Sequence, residues 1–392
     1  MNKTFKYIFI VGALFSCLST LSAFEAHRVT PVDVSSLAMG GTHFADTTHF
    51  YTLYSNPAAI AFTEEKSLLA SSSVNISGPI TEFPELITNV FSTDFNDTEE
   101  ISENIITPLL DLVGTSGLDM GFDSSFLTFG KIIDLDTFSF AIATMDNLYE
   151  DTSIDSLTSS SAIAGYDTGI EFAIALPVNL KIIPGTLSIG LSGRGTYQVE
   201  SQSDDFISLA TNLDLSELDY YTIAGIGIDA AIEHQIGFLT TAIVCQDAFS
   251  PVFITQYDNV DDLLAFNGTQ LDTQTLDTKL GIGTEIKIPL KEKTHGIVNY
   301  CTIYADYKDF LPLFQDDSIS RNPILELALG TEVKLIDIYT LKVGINESYL
   351  STGIGIDLGK FTLNLAVYGS ELGLEPGANP LLNSALSMTI TY

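Results

Sequence analysis

The sequence predicts an all-β chain, a transmembrane antiparallel β-barrel of about fourteen strands, and three observations carry that expectation. Hydrophobic residues make up 45% of the 392 residues and mean hydropathy is +0.27. Yet past residue 23 no apolar run reaches the roughly 18 residues that a spanning helix needs. From about residue 120 onward apolar and polar residues alternate in short runs separated by turn signals. The last stretch, Leu386 to Tyr392, alternates too and ends on an aromatic residue. A strand there would fray at an open edge, whereas in a closed barrel it pairs with the first one.

The elements follow in order. Lys3 and Lys6 precede the apolar run Tyr7 to Phe15 and a small-residue region ending Leu21-Ser22-Ala23, the pattern of a signal peptide (1–23) cleaved after Ala23. A relaxed lipobox, Leu14-Phe15-Ser16-Cys17, is the alternative, leaving Cys17 lipidated. Residues 24–66 form a separate N-terminal segment, and 67–392 the barrel.

Strands are predicted near 67–76, 124–132, 136–146, 165–176, 185–199, 218–234, 236–248, 276–288, 295–307, 324–335, 338–346, 348–358, 360–369 and 383–392. Leu325, Leu327, Leu329, Thr331, Val333 and Leu335 share one face, while Glu326, Ala328, Gly330, Glu332 and Lys334 share the other. One face suits lipid and the other a polar lumen. Short joins such as Ile336-Asp337 and Gly359-Lys360 suit periplasmic turns, and the longer acidic joins 200–217, 249–275 and 308–323 suit outer loops. Between 80 and 123 the alternation stops, and Ile101, Ile105, Ile106, Leu109, Leu110 and Val113 recur at helical spacing. This predicts a short helical insertion that either caps the barrel or offers an apolar landing surface.

Charge excludes several classes. The formal charge is −34, and without Lys3 and Lys6 it is −36. So anionic a chain repels nucleic acid, and no nucleic-acid partner is expected. Cys245 and Cys301 fall in strand-like runs, as small wall residues or as a single bridge.

Ser35-Ser36-Leu37-Ala38-Met39-Gly40-Gly41-Thr42-His43-Phe44, followed by Tyr54-Ser55-Asn56-Pro57-Ala58, resembles the N-terminal hatch of the FadL family of outer-membrane barrels and of its relatives such as PorV. The resemblance covers about thirty residues. It implies a hatch, 24–66, that plugs the lumen, with Met39, Gly40, Gly41, Asn56, Pro57 and Ala58 as its motif. Gly40 and Gly41 permit positive φ and close packing, and Asn56-Pro57 sets a rigid turn. It further implies passive passage of a hydrophobic compound, such as a long-chain fatty acid, through a hatch-gated barrel in the outer membrane. The alternatives are a PorV-like barrel that binds a protein at its outer loops and a small-solute porin. Implied partners are the bilayer, the hydrophobic molecule, and the barrel-assembly machinery through strand 386–392.

Phe44, Phe50, Tyr54, Ile60 and Phe62 are the candidate ligand contacts, with packing of the plug against the wall as their other role. Fatty-acid carboxylates are met by Arg or Lys, which are scarce here; Arg28, Lys66 and Arg194 are the candidates by position. No enzyme, cofactor or metal site is expected. The histidines His27, His43, His49, His234 and His295 lack paired ligand spacing, although His43 and His49 could meet in the hatch. Gly225-x-Gly227, Gly281-x-Gly283 and Gly353-x-Gly355 lie inside strands as lumen-facing glycines. The acidic pairs Asp204-Asp205, Asp261-Asp262 and Asp316-Asp317 suit solvated loops or weak calcium sites.

Overall fold

The computed structural model describes residues 26–78, 100, 107, 118–156, 159–179, 184–203, 218–271, 273–314 and 321–391. Alternating side chains build one antiparallel sheet that closes on itself. Its strands are β1 (Ser67–Ser77), β2 (Leu118–Asp134), β3 (Ser139–Ser156), β4 (Ser159–Val178), β5 (Thr186–Ser203), β6 (Asp219–Ile236), β7 (Leu239–Phe249), β8 (Pro251–Tyr257), β9 (Thr269–Gln270), β10 (Gln274–Thr275), β11 (Lys279–Pro289), β12 (Val298–Tyr307), β13 (Leu327–Leu335), β14 (Tyr339–Asn346), β15 (Tyr349–Asp357), β16 (Phe361–Glu371) and β17 (Pro380–Thr391). β7 and β8 act as one strand broken at Ser250, since β6 pairs with both, and β9 and β10 are short pieces on the path into β11. The wall thus has fourteen staves. β17 closes it on β1 in the register Ser73↔Ser387 to Ser77↔Asn383, so the last strand of the chain has a partner on each side.

The two faces separate as the alternation predicts. Ile170, Phe172, Ile174 and Leu176 of β4 and Leu341, Val343 and Ile345 of β14 point outward and are exposed, while Ala173, Ala175, Glu171 and Lys342 point inward and are buried. An apolar belt around a polar interior is the arrangement of a barrel that spans a bilayer. Leu327 and Leu329 face outward and Ala328 and Glu332 inward, as expected. Cys245 and Cys301 are free and sit in the wall.

Three expectations need correction. Leu325 is fully buried in a 3₁₀ turn, Pro323–Glu326, rather than on a lipid face. Pro323 has no N–H for a ladder, and the Asn322 side chain accepts from the Ile324 N–H, so the strand starts only at Leu327. The stretch 249–275 is not simply a loop, because it carries β8, a short helix α2 (Val260–Ala265), β9 and β10. Asp247 adopts φ +56°, and this break hides the continuation of the strand from a period-two reading. β2 begins at Leu118, inside the segment assigned to the insertion. Ile101, Ile105, Ile106, Leu109, Leu110 and Val113, the signal peptide with its Cys17, and the pairs Asp204-Asp205 and Asp316-Asp317 lie outside the described residues. Asp261 and Asp262 occupy the first turn of α2, capped by Asn259.

Candidate functional site

Residues 26–66 fill the lumen. Helix α1 (Val34–Ala38) is capped by Asp33, whose carboxylate accepts from the Ser35 and Ser36 N–H groups. Gly40 and Gly41 follow at φ +75° and +79°, a pair of left-handed residues that turns the chain back at the end of the helix. A 3₁₀ turn, Phe50–Tyr54, leads to Asn56-Pro57-Ala58, where the Asn56 side-chain oxygen accepts from the Ala58 N–H and fixes the turn.

The wall is cut to receive this plug. A Cβ on Gly190 would lie 2.2 Å from the Ala58 nitrogen, and one on Gly344 would lie 2.3 Å from the Met39 carbonyl carbon. Phe44 lies over Gly281 and Gly283, and Ala38 over Gly353. Gly190, Gly281, Gly283, Gly344 and Gly353 are thus sockets for the plug, whereas Gly225, Gly227 and Gly355 meet side chains of the wall.

Between the sockets, wall carboxylates meet the plug. Asp306 accepts from the His43 and Phe44 N–H groups at 2.7 and 2.9 Å. Glu285 accepts from both the N–H and the hydroxyl of Thr47, and Glu233 accepts from the Asn56 amide. His49 sits between Asp46, at 2.7 Å, and Glu332, at 3.6 Å. Burial opposes charge on His49, but the two carboxylates outweigh it and hold its pKa up at about 10. His43 has no such pair, and burial lowers it to about 4. Among the described residues no group of three His, Cys, Asp or Glu side chains is arranged to hold a metal ion.

The predicted ligand contacts divide between two apolar seams. Phe50, Tyr54 and Ile60 join Leu53, Leu68, Ile132, Ala141, Ala143 and Met145, packing against β1 to β4. Phe44 packs on Ala58, Ala231, Ala242 and Val244 on the β6–β7 side. These four are at most 4% exposed, and Phe62 is half-buried. The opposite flank of the plug is polar. A cavity of about 70 Å³ there is lined by Asp33, His49, Glu65, Glu332, Lys342 and Asn364, among others, near the short-turn end of the barrel.

Arg28 and Arg194 both face Asp229 and Asp247. Arg28 donates to each and to the Tyr54 carbonyl, and Arg194 donates to each as it lies flat over Gly227. Lys66 pairs with Asp134 near the rim. All three basic candidates therefore already have carboxylate partners.

One feature of the wall escaped sequence reasoning. The β2–β3 ladder is interrupted between Ser124 and Gly130, where β2 carries one residue more than β3. The Asp146 carboxylate fills the breach, accepting from the Phe126 and Leu127 N–H groups at 2.7 and 3.0 Å and from the Thr128 hydroxyl. The Thr144 hydroxyl accepts from the Phe129 N–H and donates to the Leu127 carbonyl. From the lumen, the Tyr54 hydroxyl donates to the Thr144 carbonyl at 2.6 Å. Outside, Phe126, Leu127 and Phe129 are 47, 67 and 51% exposed. The signal was faint: Phe126-Leu127 places two apolar residues side by side in an alternating run.

The sequence matches no family model and no curated protein. Solved structures do match. A TodX monoaromatic hydrocarbon channel with the deltaS2 mutation is 10% identical, with a TM-score of 0.52 over 93% of this chain and 100% of that one. Its deltaS2S3 counterpart is 11% identical, with a TM-score of 0.51 over 92% and 99%. The toluene transporter TbuX of Ralstonia pickettii gives 11% and 0.49 over 93% and 99%. This chain shares the fold of these TodX channels, a closed fourteen-stranded antiparallel barrel. Residues 26–66 are held inside this barrel by glycine sockets and by wall carboxylates that accept backbone N–H groups of the segment.

Proposed function

We propose that this FadL-like barrel is an outer-membrane transporter that passes hydrophobic compounds by diffusion and releases them sideways through the β2–β3 interruption. The observation that carries the proposal is the interruption itself. In a bilayer an open ladder with no water leaves backbone groups unsatisfied, at a cost of several kcal/mol each. A wall meant only to seal would pair them with each other. Here they are satisfied by side chains, Asp146 and Thr144, and by the hatch residue Tyr54, all of which can let go. The apolar hatch seam of Phe50, Tyr54 and Ile60 reaches the lumen side of the breach, and three exposed apolar residues flank its lipid side. An apolar molecule crossing there would never leave an apolar surface.

On this reading the chain is exported by a cleaved signal peptide, and the strand 386–392 is what the assembly machinery reads. The hatch contacts Phe44, Phe50, Tyr54, Ile60 and Phe62 would touch cargo once the hatch loosens. The similarity to hydrocarbon channels supports apolar cargo, and long-chain fatty acid is one candidate.

The test staples the breach. Phe129→Cys and Thr144→Cys, in a background with Cys245 and Cys301 replaced by Ala, place a disulfide across it. Oxidation is expected to stop entry of toluene and of a long-chain fatty acid into cells that depend on this protein, with recovery on reduction. Unchanged uptake by the oxidised protein would refute sideways release, and unchanged uptake on deletion of the gene would refute transport altogether.

A further inference from the structure

A second site lies on the lumen side of the breach, one residue beyond Asp146. Asn147 of β3, Asp167 of β4 and Gln198 of β5 are direct cross-strand neighbours, in the registers Asn147↔Asp167 and Asp167↔Gln198. Neighbouring side chains on one face stand about 5 Å apart, so their tips can meet a single group. Each carries a buried oxygen with no hydrogen-bond donor: Asn147 Oδ1, Asp167 Oδ1 and Gln198 Oε1. Asp167 is 1% and Gln198 2% exposed. The Gln198 amide cannot simply be turned round, because its nitrogen donates to the His27 carbonyl at 3.1 Å. Asp167 Oδ2 is bonded to His27 Nε2 at 2.8 Å, leaving Oδ1 over.

Apart from His27, whose imidazole is already bonded to Asp167 Oδ2, the charged neighbours are carboxylates. Tyr149, edge-on to the His27 ring, donates to Glu200, and Asp151 and Asp123 stand nearby. The cations next along the plug and wall, Arg28 and Arg194, are both committed to Asp229 and Asp247. A buried acceptor without a donor is destabilising, and three in one row inside a negative field call for a ligand that is itself a donor and positively charged.

We propose that Asn147, Asp167 and Gln198 form a head-group site for a protonated primary amine on apolar cargo, and that the same collar turns carboxylates away. An ammonium group has three N–H donors for three acceptor oxygens, and its alkyl tail would lie toward the apolar seam of Phe50 and Tyr54. The inference rests on the transport reading, since it concerns the cargo of the same barrel, and it narrows the fatty-acid alternative.

The experiment uses the full mature protein in lipid nanodiscs, with empty nanodiscs as reference, and titrates decylamine, decanol and decanoate by calorimetry. Decylamine is expected to bind saturably, at least tenfold more tightly than decanoate. Asp167→Asn and, separately, Gln198→Leu should each lower the amine-to-alcohol affinity ratio about tenfold, while heat-modifiable mobility on gels confirms folded barrels. Decanoate binding as well as decylamine, or ratios unmoved in both variants, would overturn the head-group site and leave the transport reading standing. Saturable binding of none of the three would overturn both. Calcium chloride is titrated alone as a further arm; one tightly bound calcium that decylamine does not displace would overturn the amine assignment in favour of a metal ion.

Discussion

Gly344→Ala should unseat the hatch. The new Cβ would lie 2.3 Å from the Met39 carbonyl carbon, 2.4 Å from the Gly40 nitrogen and 2.7 Å from the Leu329 carbonyl oxygen, all backbone atoms. Ordinary contact begins near 3.4 Å, so the Met39–Gly40 corner must retreat by about 1 Å. Overpacking of that kind costs about 1–3 kcal/mol. Four residues on, a retreat of this size stretches the His43 and Phe44 bonds to Asp306 beyond hydrogen-bonding range, and each bond to a charged acceptor is worth about 1.5–3 kcal/mol. Taking the lower end of each, about 4 kcal/mol in all, the unseated population rises roughly a thousandfold. Hydrogen exchange of the peptide spanning 36–47 reads that population directly. Gly195→Ala is the control, because a Cβ there meets nothing within 4 Å. Protection in Gly344→Ala within about threefold of the parent and the control would refute the socket account.

Three more outcomes are expected. Asp306→Ala leaves two hatch N–H groups without an acceptor and should loosen the same peptide by about 2–6 kcal/mol, with partial rescue by Asn; equal protection in all three proteins would deny Asp306 a seating role. The hatch histidines set both pH limits. His49, raised to about 10 from 6.5, contributes stability that is full below 6.5 and is lost as pH rises through about 10. His43, lowered to about 4, resists the proton that the unfolded chain takes up, so stability falls as pH drops from 6.5 toward 4. Relative to the parent, and after correction for intrinsic rates, His43→Gln should flatten the acid limb of exchange over residues 40–50 and His49→Gln the alkaline one. Gly227→Ala brings a Cβ within 2.5 Å of the Arg194 guanidinium, pushing it from Asp229 and Asp247, and should lower Tm in detergent, whereas an unchanged Tm would mean the cluster adds nothing to stability.

The strands were legible because a wall between lipid and polar lumen imposes a period of two, and β14 alternates exposed and buried residues along its whole length. Where the period is broken for a reason, reading failed. Asp247 at positive φ hid β8, and the Phe126-Leu127 doublet was absorbed into a strand when it marks the breach. Gly40-Gly41 and Asn56-Pro57 were legible because their conformations are local. Their sockets, Gly190 and Gly344, were not, since which wall glycine faces which plug residue depends on contacts more than a hundred residues apart in sequence. Arg28 and Arg194 could be named as the basic candidates, but not that both turn to the same two aspartates.

The acidic bias of the chain acquires a cause at this point. A plug built of turns and one short helix presents backbone N–H groups that no strand can pair, and in a lumen closed to water each needs an acceptor. Carboxylates supply strong ones from the wall, as Asp306 and Glu285 do, and a lysine or arginine in their place could supply none. If the barrel passes apolar cargo as proposed, the unpartnered oxygens of Asn147, Asp167 and Gln198 lie beside the breach, where a charged head group would be sorted before its tail reached lipid.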